Sequence, residues 1–134
     1  MANIKRQVQY WQESAHEDLK TMKALFSSKR YSAALFFGHI VLEKILKALA
    51  TLETKNEAPK IHNLIRLAEL ANLELNQDEK DYLSLANDFN IRSRYEDYKK
   101  VFYKICTKEY VMENIEKITK IYQNLCQKLK QKEL

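Results

Sequence analysis

Residues 31–52 read YSAALFFGHIVLEKILKALATL, and no other stretch of the chain constrains its architecture as tightly. With successive residues 100° apart, Ala34, Phe37, Val41, Leu42, Ile45, Leu46, Ala48, Leu49 and Leu52 cover about half of a helix circumference. Phe36 and Ile40 occupy the opposite side. Only Ser32, His39, Glu43, Lys44, Lys47 and Thr51 interrupt the apolar surface. A helix that is apolar nearly all round is buried on two sides, so this segment is expected to be the central helix of a bundle that also lies against a second copy of the chain.

The flanking sequence supplies the other walls. Before it, Ile4, Val8, Trp11, Ala15, Leu19, Met22 and Phe26 recur at steps of four and three, which predicts a first helix over Asn3–Ser27. The break at Ser27–Arg30 is short and implies an antiparallel neighbour. After it, Thr54–Lys60 is a polar connection in which Pro59 disfavours helix at Ala58. A shorter helix fits from His62 or Asn63 to Ala71, with Asn63 as cap, and another from Gln77 to Phe89, with Asn76 as cap and Asp78 and Glu79 in its first turn. The stretch Asn90–Lys100, NIRSRYEDYKK, lacks a clean helical stripe and reads as a functional loop, with a helical turn around Glu96–Tyr103. Val111, Ile115, Ile118, Tyr122, Leu125 and Leu129 then predict a last helix over Lys108–Lys132, its basic tail from Lys128 frayed.

Composition agrees. One glycine and one proline in 134 residues leave little material for hairpins or flexible linkers, and 46% hydrophobic with 31% charged content argues against disorder. The expectation is one all-α domain over residues 1–134, an antiparallel up-and-down bundle of four main helices plus one or two short ones. Cys106 and Cys126 are too few for a disulfide framework, and no Cys/His spacing suits zinc, so neither metal nor cofactor is expected. No apolar run near Met1–Gln9 suits a signal or a membrane span, which suggests a cytoplasmic protein without a membrane partner. The net charge of +5 favours nucleic acid or an acidic surface only if the cations converge on one face.

Three stretches together resemble the prokaryotic HEPN domains. Tyr31–Leu49 is similar to the family's second helix, with its alanine and aromatic positions followed by Glu43-Lys44 and Lys47. PKIHNLIRLAELA, Pro59–Ala71, is similar to its proline, histidine, leucine pattern. RYEDY, Arg94–Tyr98, is similar to its Arg-Tyr-Pro-Asp motif, with Glu96 where the family usually has proline. The resemblance implies a helical bundle that binds nucleotides or partners a small nucleotidyltransferase. Modification of a tyrosine by such a partner is implied in the same way, Tyr95, Tyr98 and Tyr103 being the candidates. Many HEPN proteins are metal-independent ribonucleases using an arginine followed four to six residues later by histidine; no arginine here has that partner.

Among the candidates by residue type, His62 is suited to proton transfer near neutral pH. Glu43 and Lys47 have the i, i+4 spacing of an ion pair, with Lys44 projecting to one side; on so apolar a helix they suggest a polar network at a cleft or interface. Arg92, Arg94, Tyr95 and Tyr98, with Asp97 between, combine fixed charge and aromatic faces as phosphate- and base-binding sites do. Each also has a purely structural reading: His62 capping a helix or bonding across the bundle, Arg94 paired with Glu96 or Asp97, the tyrosines packed on the bundle. His39 reads as a satisfied buried group.

The leading expectation is a dimeric binding and assembly module that presents an Arg/Tyr/His cleft to a nucleotide, RNA or a partner nucleotidyltransferase, in a toxin–antitoxin or related stress system. The alternatives are a metal-independent ribonuclease toxin with His62 and Arg94 as a non-standard pair, and a structural interaction domain.

Overall fold

The computed structural model describes residues 3–133. It contains α1 (Ile4–Ser27), α2 (Tyr31–Thr54), α3 (Leu64–Leu70), α4 (Gln77–Arg94), α5 (Glu96–Ile105) and α6 (Lys108–Glu133), and no strand among these residues. The four long helices follow the order that the sequence predicts, and α3 and α5 stand as its one or two short ones. Asn3, Asn63 and Asn76 cap α1, α3 and α4 with their side-chain oxygens, and Glu79 completes a capping box with Asn76.

Directions alternate along the chain. Lys47 reaches Trp11 and Lys44 reaches Ser14, while Gly38 lies beside Met22, so α2 runs antiparallel to α1. Ile118 abuts Gly38 and Lys132 reaches Glu53, so α6 runs parallel to α2. Tyr82 bonds to Asn114 and Lys128 to the carbonyl of Glu74, which makes α4 antiparallel to α6. This is the up-and-down arrangement, with α2 packed against every other helix.

The burial pattern follows. Leu35, Val41, Leu42, Ile45, Leu46 and Leu49 of α2 are fully buried among Met22, Leu64, Leu67, Phe89 and Ile118. Phe36 and Ile40, on its other side, are half-buried and lie outside that core cluster. At Gly38 the Ile118 side chain of α6 packs directly on the α2 backbone: a Cβ there would stand 2.5 Å from the Ile118 δ-methyl. No helix is long and apolar enough to cross a membrane among the described residues.

Two expectations are corrected. Asn90–Lys100 is not a loop: α4 continues to Arg94, and α5 begins at Glu96 after the single extended residue Tyr95. Its charges mark helix ends. Arg92 and Arg94 sit in the last turn of α4, and Glu96 and Asp97 in the first turn of α5, where each sign suits the local helix dipole. The α6 tail does not fray either: Leu129 is fully buried, and Lys132 reaches Glu53 and the carbonyl of Ala71.

Candidate functional site

On α2, His39, Glu43 and Lys47 follow one another at i, i+4 and i+8, and therefore share one face of the helix. All three are buried, which a carboxylate and an ammonium tolerate only when paired. Lys47 Nζ lies 3.1 Å from Glu43 Oε2 and 5.1 Å above the Trp11 ring of α1. The predicted ion pair is thus present, inside the protein rather than on its surface.

The other carboxylate oxygen serves His62. Its Nδ1 lies 2.8 Å from Glu43 Oε1, and since a carboxylate only accepts, Nδ1 carries the proton and donates. The His62 side chain is 60% exposed, so with Nδ1 held by Glu43 it is Nε2 that is left for the surface. His62 does not cap α3; Asn63 does, and His62 bonds across the bundle instead.

His39 holds the same loop from below. Its Nε2–H donates to the His62 carbonyl at 3.0 Å, which leaves Nδ1 to accept from the Asn90 amide at 3.3 Å. Burial keeps its pKa below the usual histidine range, a pull that the Glu43 carboxylate opposes and Arg94 reinforces. Neutral imidazole is the form this hydrogen-bond pattern requires. Asn90 in turn accepts from Arg94 Nε at 3.2 Å through its carbonyl, and the Arg94 guanidinium stacks 5.7 Å from the Tyr95 ring.

The result is one polar seam from α1 to the end of α4, in the order Trp11, Lys47, Glu43, His62, His39, Asn90, Arg94, Tyr95. Of the residues expected to form the site, it brings together Glu43, Lys47, His62, Arg94 and Tyr95. Lys44 points elsewhere, to Asp18 at 2.6 Å and Ser14 at 2.7 Å on α1. Arg92 faces the opposite side of α4, where its charge opposes the rise that burial produces in the Cys106 thiol, to about 11. Asp97 and Tyr98 stand exposed on α5 and make no side-chain bond to the seam among the described residues. Nor does Arg94 pair with Glu96 or Asp97, so its charge has no carboxylate partner within the described residues. Tyr95, Tyr98 and Tyr103 are all exposed rather than packed on the bundle.

Sequence reasoning read His39 as a satisfied buried group and not as part of the site, and it passed over Asn90 and Trp11. The spacing of His39, Glu43 and Lys47 was a usable signal for the first, and the i, i+4 relation of Asn90 to Arg94 for the second; Trp11 gave none beyond its place in the first helix's stripe.

The fold and site define a class, an all-α bundle whose central helix carries a buried His-Glu-Lys line ending at a surface histidine. A family model, the HEPN domain, matches residues 8–129, and the chain belongs to that family. Its fold is similar to the crystal structure of TT1696 from Thermus thermophilus, with a TM-score of 0.76 at 20% identity, over 91% of this chain and 98% of that one. No curated protein matches the chain.

Proposed function

We propose that this HEPN-domain protein is a binding and assembly module that presents the His62–Arg94 edge to a phosphate-bearing ligand, a nucleotide or RNA. The observation that carries the reading is the seam itself. An exposed imidazole and an uncompensated guanidinium stacked on a tyrosine are held by part-buried hydrogen bonds, so the guanidinium donors, the imidazole and the stacking face are ordered before a ligand arrives. The half-buried Phe36 and Ile40 strip on the outer face of α2 supports pairing with a second copy. A small nucleotidyltransferase remains the protein partner that the family resemblance implies, and the free Cys106 and Cys126 fit a reducing cytoplasm.

One observation favours a second reading. Glu43 gives His62 the tautomer and orientation of a general base, the arrangement a metal-independent ribonuclease with a His62/Arg94 pair would need. The discriminating experiment incubates purified protein with an RNA oligonucleotide in metal-free buffer and measures binding and cleavage for wild type, His62→Ala and Arg94→Ala, each checked for helical content. The binding module retains RNA uncut and loses affinity several-fold in both variants. Cleavage by wild type that disappears in both variants replaces it with the ribonuclease. Unchanged affinity in both variants sinks the two readings together.

A further inference from the structure

Helix α5 carries a stripe that the seam does not use. Tyr98, Val101 and Ile105 fall at i, i+3 and i+7, on one face beside Phe102. Phe102 is buried against Phe89, but Val101 is 56% exposed, and Tyr98 and Ile105 are exposed as well. Ile91, in the last turn of α4, is also exposed. A helix with so apolar a face, anchored by one side chain, presents the rest to something.

Charge decides among the occupants. Residues 91–112 hold six Lys and Arg against three Asp and Glu, a net +3 of the chain's +5 within 22 of its 134 residues. A second copy bound through the same stripe in a two-fold dimer would set this surplus against itself. Nucleic acid would welcome the lysines and the Tyr98 ring, but Val101 and Ile105, the rest of the stripe, offer neither a flat face for bases nor a phosphate donor. An apolar stripe bordered on α5 by Lys99, Lys100 and Lys104, with Asp97 the carboxylate nearest its edge, instead complements a protein segment that is apolar on one face and acidic on its flanks. We propose that α5 docks such an acidic amphipathic helix of a partner protein, with Val101 and Ile105 against its apolar side and Lys100 and Lys104 against its carboxylates.

The test uses two synthetic helical peptides with the same leucine face, one flanked by glutamate and one by lysine, titrated into the isotopically labelled full chain. The glutamate peptide is expected to bind, to shift the amides of α5, and to bind at least tenfold more weakly to Val101→Asp and to the Lys100→Glu/Lys104→Glu variant. The lysine peptide is expected not to bind, and His62→Ala, which alters the seam alone, to bind as wild type does. Binding of both peptides alike, or of neither, overturns the proposal. So does an RNA oligonucleotide that shifts the same amides more tightly, or a dimer in sedimentation that Val101→Asp dissolves.

Discussion

Helices α2 and α5 are built from the same kinds of residue, aliphatics, aromatics and lysines at helical spacing, and the fold treats them oppositely. In α2, fourteen of 24 residues are buried, including a histidine, a glutamate and a lysine, whereas α5 buries only Phe102 of its ten. What differs is the number of neighbours. α2 has helices on several sides, so even its polar side chains must find partners inside the protein. α5 rests on α4 and touches α2 only lightly, so its polar groups keep their water and its apolar ones stay uncovered. Polar residues in α2 are therefore structural by necessity, and the seam they belong to reaches the surface at His62, Arg94 and Tyr95; the apolar residues of α5 other than Phe102 contribute little to the core and stay uncovered.

The strongest way to break this contrast is at Glu43. Glu43→Ala leaves the Lys47 ammonium buried without its carboxylate and His62 without its anchor, and is expected to cost about 3–5 kcal/mol in urea unfolding. Replacing the pair together, Glu43→Leu with Lys47→Met, should recover most of that loss, because the penalty belongs to the orphaned charge. A loss below about 1 kcal/mol for the single variant, the level of an exposed pair, would mean that α2's polar line is as solvated as α5's. Next in size is Val41→Ala. Val41 is fully buried, and removing two methyls from a packed site is expected to cost about 2 kcal/mol after alanine's better helix propensity is counted.

The sequence made α2 legible because one residue class dominates its surface, and a helix apolar on both sides admits one kind of place in a bundle. Asn90–Lys100 misled for the converse reason. Its charges belong to two helix ends, back to back across Tyr95, and their periodicities cancel where the chain bends. Glu43, Lys47 and His62 stood out by type. Their joining into one seam with His39 and Asn90 did not, because it depends on how α4 crosses α2, a tertiary fact that spacing within either helix does not contain. Leu129 and Lys132 show the same limit at the α6 tail, where basic residues read as fraying are held by carbonyl and carboxylate groups from elsewhere in the chain.

A smaller effect sharpens the α2 side. His39 is held neutral in the folded protein, below its ordinary value of 6.5, chiefly by burial. The unfolded chain takes up a proton there as pH falls through about 6.5 while the folded chain does not. Stability contributed by neutral His39 is therefore present above that pH and lost below it, down to the folded pKa, at no more than about 1.4 kcal/mol per pH unit. His39→Gln keeps a donor for the His62 carbonyl without a titrating group. Unfolding midpoints between pH 7.5 and 5.5 are expected to fall more steeply in wild type than in this variant; equal slopes would show that His39 titrates alike in both states. The groups facing it, Glu43, His62, Arg94 and Asn90, are common to both proteins and drop out of the difference to first order.

The smallest expected effect bears most directly on α5. Val101→Ala removes the same two methyls as Val41→Ala, but from a side chain more than half in water, so little burial is lost. Alanine is also the better helix former by a few tenths of a kcal/mol, which keeps the net change within about 0.5 kcal/mol of zero and tilts it towards stabilisation. The two valines thus give opposite signs for one chemical change, and the neighbours around each helix are what reverse it. A loss above about 1 kcal/mol for Val101→Ala would mean that the stripe is already covered in the protein by itself. The covering surface would then be a second copy, and the basic border around α5 would have to be reconciled with self-association rather than with an acidic partner. Repeating the measurement at ten times the protein concentration separates the cases: stability that depends on Val101 through a dimer rises with concentration, and stability of an isolated chain does not.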